Sequence, residues 1–290
     1  MERLLLVAAL TALIHFVNTL IYAVRISGVR TGRLATAFSL FNVIFLLAST
    51  ANSVQGFLLA SIVERAIKAG QTGVGGIAAA ENLVRHPAYQ AQLGALELDF
   101  RLIIAAATAG TMLGAMLIPA FVHIFSRAIF LFEETGSVPG MMARFLFSPR
   151  RVFGRAGRPS LSGRNLFKAA AARRLAIPSA FLVLNLVVTG VYTIGVLSSL
   201  FAGALFPDFR ITAATMSAVV NGIATVLAAT VVDPTAAAIT DQALRGERSE
   251  DDVKQMALYL TITRLLGTVF AQLIFVPSAH LIKLAASLLA

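Results

Sequence analysis

The stretch ALIHFVNTLIYAVRISGVRTGR, Ala12 to Arg33, decides what kind of protein this is. Its first half is apolar enough for hydrocarbon, yet His15, Asn18, Tyr22 and Arg25 recur at intervals of three and four. Residues so spaced share one face of a helix. Lipid penalises a polar stripe heavily, so this face belongs inside a bundle or on a wet cavity. The helix then runs into Arg25, Arg30 and Arg33, a basic end of the kind that stays cytoplasmic. One segment therefore predicts a membrane span, its inward face and its orientation.

Working outward, the same pattern recurs. Of 290 residues, 58% are hydrophobic and only 13% charged, with a mean hydropathy of +0.82. Charge is confined to stretches between apolar blocks of roughly twenty residues, enough to cross a bilayer as a helix. We predict an all-α polytopic transmembrane bundle, one integral membrane domain over 1–290. Its six spans fall near 4–24, 34–60, 101–124, 175–201, 211–232 and 257–282. The first apolar block has Arg3 but no small-x-small cleavage site before a polar start, so it reads as a retained helix. Without cysteine there are neither disulfides nor thiolate metal sites. The net charge of +10 sits on particular loops, which fits membrane topology better than nucleic acid.

The loop from 125 to 174 holds ten of the 24 basic residues against Glu133 and Glu134. With loops one, three and five cytoplasmic, both termini lie outside. Within loop three, SPRRVFGRAGRPSLSGRNLFKAAAARR, Ser148 to Arg174, reads as a basic stretch touching anionic membrane lipids. Plain topology determination explains it as well. Loop two, about 61–100, contains GQTGVGG, Gly70 to Gly76, which lacks the ending of a nucleotide-binding loop and reads as a connector. A short surface helix over Ala78 to Arg85 follows, ending before Pro87.

Two halves are hinted at. RLATAFSLFN, Arg33 to Asn42, resembles RITAATMSAVVN, Arg210 to Asn221. Spans three and six begin near Arg101 and Arg264, and each carries a proline and then a histidine, Pro119 with His123 and Pro277 with His280. Three spans plus three give halves of opposite orientation, an arrangement that places a site between them.

Polar residues recur inside other spans: Ser39, Asn42, Ser49, Asn52 and Gln55 in span two, Asn185 and Tyr192 in span four, and Arg264, Thr268 and Gln272 in span six. Ser, Thr and Asn often serve as interhelical glue, alongside small-residue contacts such as Gly110 with Gly114. Arg25 and Arg101 lie near span ends, from which they can snorkel to the surface. Arg264, about a turn inside span six, has no such escape. No span carries a mid-membrane carboxylate, and Asp233, followed by Pro234, sits at an edge. We find no His/Glu metal cluster and no nucleophile beside a base, so we expect neither a cofactor nor an enzyme. Acidic rings for a cation pore are missing. An anionic, strongly polar substrate fits, and phosphate suits arginine forks.

Six segments carry a family resemblance: LIHFVNTLIYAVRISGVRT (Leu13 to Thr31), SLFNVIF (Ser39 to Phe45), STANSVQ (Ser49 to Gln55), FRLIIAAATAGTMLGAMLIP (Phe100 to Pro119), VVDPTAAAITD (Val231 to Asp241) and TRLLGTVFAQLIFVPSA (Thr263 to Ala279). Through them the chain resembles the Amj family of lipid II flippases over most of its length, loop three least. Some members carry a basic residue beside the first serine of the third segment, where this chain has Ser49 and Thr50. The resemblance implies translocation of lipid II, the undecaprenyl-pyrophosphate-linked disaccharide pentapeptide, to the outer leaflet of the bacterial cytoplasmic membrane for peptidoglycan synthesis. Its implied partners are lipid II and other cell-wall synthesis proteins. On that reading Arg25, Arg30 and Arg33 recruit the pyrophosphate. His15, Asn18, Tyr22, Asn42, Asn52, Gln55 and Gln272 line the path, and Arg264 or Arg101 receives the anion. Asp233, Pro234, Thr240, Asp241, Gly267 and Pro277 match the pattern without an assigned role. The alternatives are transport of another polyprenyl-linked glycan or anionic lipid, a membrane scaffold using loop three, and an enzyme acting on a polyprenyl phosphate.

Overall fold

A computed structural model describes residues 2–74, 80–147 and 177–289. Among them, six helical runs are long and apolar enough to cross a membrane. The first is α1 (Glu2–Thr19) followed, after Leu20, by α2 (Ile21–Thr31). Gly32 ends α2 in the left-handed region, at φ 69°, where only glycine sits without strain. The second span is α3 (Leu34–Gly73). Next come the short α4 (Ala80–Arg85) and α5 (Pro87–Thr135), which contains span three. Pro87 lies in the first turn of α5, and His86 Nδ1 accepts the Ala88 N–H at 3.2 Å.

Here the observed helices correct the expected loops. Loop two is largely helical, because α3 and α5 both continue past the apolar blocks. Leu59, Val63, Ile67 and Gly70 keep a buried stripe going along α3. It meets Tyr89, Leu93 and Leu96 of α5 in one apolar cluster. A side chain on Gly70 would collide with the Tyr89 ring, so the first half of GQTGVGG is a close-packed helix end. Residues 75–79 lie outside the described set. The loop expected from residue 125 also begins later. Phe125, Ala128 and Ile129 are buried and carry α5 to Thr135, after which α6 (Val138–Phe147) follows. The basic stretch beyond it, 148–176, lies outside the described residues.

Span four is α7 (Ser179–Leu205). The fifth run comprises a 3-10 turn (Pro207–Phe209), α8 (Arg210–Thr215), α9 (Ser217–Leu227), a π-turn (Ala228–Val232) and α10 (Asp233–Leu244). Proline lacks an N–H, so Pro234 cannot continue a regular ladder, and the wider turn just before it absorbs the mismatch. Span six is α11 (Glu250–Leu288), opened by a reciprocal cap between Ser249 and Asp252.

Packing follows a three-plus-three pattern. The first span packs most heavily on the third, and the fourth on the sixth. Gly110 of α5 abuts the Ala12 carbonyl, and Gly267 of α11 abuts the Leu186 carbonyl. Removing side chains there lets backbones meet, as in other membrane helix pairs. Gly110–Thr111 precedes His123 by the same separation as Gly267–Thr268 precedes His280.

Two apolar clusters hold the bundle. One, near the basic end, includes Ile26, Phe41, Phe125, Phe181 and Met256. The other, toward the opposite end, centres on Phe100, Phe201 and Phe275, with ring centroids 5.4–6.3 Å apart. Large side chains such as Leu47, Phe57, Met116 and Leu273 point outward, as a lipid-facing surface requires. The fifth span is the least buried of the six. It makes little direct contact with the second.

Candidate functional site

Between the two apolar clusters lies a cavity of about 680 Å³, walled by residues of spans one, two, four, five and six. The first span contributes a whole polar face: Thr11, His15, Asn18, Tyr22 and Arg25. At 1.5 Å per residue this face runs roughly 20 Å along the cavity. Opposite it stand Ser49, Asn52, Ser53 and Gln55 of α3, Asn185, Thr189, Tyr192 and Thr193 of α7, and Asn221 and Asp233 of the fifth run. Arg264 of α11 completes the lining. Of these, Ser49, Asn52, Ser53 and Asp233 are exposed. Among the described residues, the cavity is thus accessible beside spans two and five, which make little direct contact.

The lining groups divide into satisfied and free. Gln55 donates to Thr11 Oγ1 at 2.7 Å in a buried contact. Asn185 donates to the Leu260 carbonyl at 3.1 Å and to Thr263 Oγ1 at 2.8 Å. The Leu260 carbonyl also accepts the Tyr22 hydroxyl at 3.4 Å. Tyr192 donates to Thr225 Oγ1 at 2.6 Å. His15 Nδ1 lies 3.5 Å from Thr111 Oγ1. Arg264 contrasts with these: its Nε is buried with no hydrogen-bond partner among the described residues. Asn221 Oδ1 is likewise buried and unpartnered, pressed against Gly195, whose missing side chain makes the room. A buried polar atom without a partner is costly, and such atoms concentrate where a ligand completes them.

Seven of the twelve sequence-derived site residues meet on this cavity: His15, Asn18, Tyr22, Arg25, Asn52, Gln55 and Arg264. Five stand elsewhere. Arg30 donates from Nε and Nη2 to Glu250 Oε1, at 3.1 and 2.7 Å. Arg33 pairs with Glu133 and lies over the Phe130 ring. Asn42 is exposed on α3. Arg101 and Gln272 meet each other beside the far aromatic cluster. Arg101 Nη1 donates to the Gln272 carbonyl at 3.0 Å, and Gln272 Nε2 donates to the Arg101 carbonyl at 2.8 Å. Arg101 also binds Glu97 at 2.8 Å.

Among the described residues, Arg25 is the cavity arginine with a carboxylate beside it. Its side chain is 9% exposed, with Asp233 at 4.0 Å and the Phe38 ring at 5.3 Å. Spacing alone places Asp233 at a span edge. It lines the cavity while 67% exposed, and the Asp–Pro pair directly after the π-turn Ala228–Val232 marks the break in the helical run. Among the described residues, no group of three or more His, Cys, Asp or Glu is arranged to hold a metal. The cavity offers cations, amides and hydroxyls along its length. That chemistry is suited to holding an anionic, hydroxyl-rich group.

Comparison with known proteins bears on this site. The family model described as "Amj: Alternate to MurJ" matches residues 10–286. The protein named "Lipid II flippase Amj" from Bacillus subtilis (strain 168) is 35% identical over 283 residues, which cover 97% of this chain and 95% of that protein. No solved structure matches.

Proposed function

The chain belongs to the Amj family, and from that premise we propose that it carries lipid II from the cytoplasmic to the outer leaflet of the bacterial cytoplasmic membrane. The observation that carries this reading is the buried Nε of Arg264, without a partner among the described residues, on a polar cavity. A diphosphate supplies the anion that Arg264 lacks. Sugars and peptide supply hydrogen bonds to Asn18 and Asn52, whose side chains have no partner among the described residues. The polyprenyl tail need not enter, because the gap between spans two and five leaves it in lipid. No bond breaks; the protein lowers the cost of taking a charged headgroup through hydrocarbon.

In this reading the basic end of the bundle is cytoplasmic, and both termini are outside. Arg30 and Arg33 add long-range attraction at the entrance. Arg25 makes the first contact, Arg264 the second, and Arg101 with Gln272 stands at the release side. A different polyprenyl-linked glycan would use the same chemistry. The name of the Bacillus relative favours lipid II.

The test is complementation in a bacterium depleted of its other lipid II flippases, with outer-leaflet lipid II measured directly. Wild type restores it. Arg264→Ala, at equal protein level, lowers the transport rate at least about tenfold, equivalent to about 1.4 kcal/mol. Cytoplasmic accumulation despite verified wild-type expression overturns the substrate assignment. Undiminished transport by Arg264→Ala removes Arg264 from the mechanism.

A further inference from the structure

The Arg25–Asp233 contact differs from the other arginine pairs of the bundle. Arg30 and Arg101 hold their carboxylates at 2.7 and 2.8 Å. Asp233 stands off at 4.0 Å from Arg25 and makes no hydrogen bond to it. The two partners are also unequally placed, Arg25 with 9% of its side chain exposed and Asp233 with 67%. Both line the cavity, at the end where the first span becomes basic. Asp241, about two turns further along α10, adds attraction for Arg25 from a distance.

A buried guanidinium inside a membrane bundle is costly unless an anion or hydrogen bonds offset its charge, and the burial of Arg25 makes that offset large. Among the described residues Asp233 is the nearest candidate for Arg25. A diphosphate entering from the lipid side arrives at the same guanidinium and is repelled by the same carboxylate. Both cannot hold Arg25 together, since like charges at such a distance oppose each other. Asp233 is the partner free to leave, because it is exposed and follows a π-turn that already departs from regular helix geometry.

Resting on the functional reading above, we propose that Asp233 is the resident counter-anion of Arg25, displaced by the substrate's diphosphate and returning as it departs. The exchange keeps Arg25 neutralised at every stage and prevents the substrate from binding too tightly to move on. Asp233 acts through Arg25 and so is a positioning residue. Its loss raises affinity and slows turnover.

The experiment uses the full chain in lipid nanodiscs, with undecaprenyl pyrophosphate as the binding probe, and proteoliposomes for lipid II transport. Asp233→Asn is expected to bind the probe several-fold more tightly while transporting more slowly at saturating lipid II. Asp233→Glu is expected to return the affinity toward that of wild type. In an Arg25→Gln background, Asp233→Asn is expected to produce no further gain in affinity. Unchanged or weaker binding by well-folded Asp233→Asn overturns the proposal, as does a gain that persists without Arg25. If wild type itself binds no undecaprenyl pyrophosphate, the functional reading fails first, and the exchange falls with it.

Discussion

Asn52 and Asn185 are both amides on the cavity wall, but only one is engaged within the protein. Asn185 ties span four to span six through Leu260 and Thr263, whereas Asn52 has no partner among the described residues. Asn185→Ala should therefore lower stability by about 0.6 to 2 kcal/mol, the range for hydrogen bonds between membrane helices. Asn52→Ala should leave the melting temperature at the wild-type value and slow lipid II transport several-fold. Thermal unfolding in nanodiscs and transport in proteoliposomes separate the two effects. A loss of stability in Asn52→Ala would make that residue interhelical glue. The first-span face was legible from spacing alone, because a helix repeats every 3.6 residues whatever surrounds it. Which groups are free was not legible, since partners come from distant spans, as Thr11 does for Gln55. The stripe Arg264, Thr268, Gln272 shows a second limit. Steps of four overshoot a turn by about 40° each, so Arg264 reaches the cavity while Gln272 turns away to Arg101.

Helix against helix, the glycines set how closely spans approach. A methyl at Gly110 would strike the Ala12 backbone, which cannot yield like a side-chain tip, whereas one at Gly222 meets nothing within 4 Å. Gly110→Ala should destabilise the bundle by about 1 to 3 kcal/mol through overpacking. Gly222→Ala should stabilise it by up to about 1 kcal/mol through helix propensity. Melting temperatures of the two variants check the contrast, and equal values would mean that the first and third spans are not held by this contact. Six elements were legible because each span must present a long apolar block to lipid. Their ends were not. Hydropathy marks the bilayer, while α3 and α5 continue beyond it on the strength of Val63, Ile67, Tyr89 and Leu93. The break in span five needed Pro234 to be read as a backbone constraint rather than as a boundary.

At the scale of the whole molecule, the proposed orientation is open to direct labelling, because the chain has no native cysteine. Single cysteines at Ser137 and Gly246 should react with a membrane-impermeant thiol reagent only from the cytoplasmic side, and one at Gln71 only from outside. The reverse pattern would invert the bundle and with it the direction of the arginine path. The sideways opening between spans two and five has a consequence of its own. On that side the described residues form no wall, so on the proposed reading the acyl chains of neighbouring lipids supply one. Their order and thickness then govern how much water enters, and water content scales the strength of every charge inside. On that reading the surrounding bilayer acts as a structural subunit that is exchanged continuously, and the proposed site's affinity becomes a property of the membrane as much as of the chain.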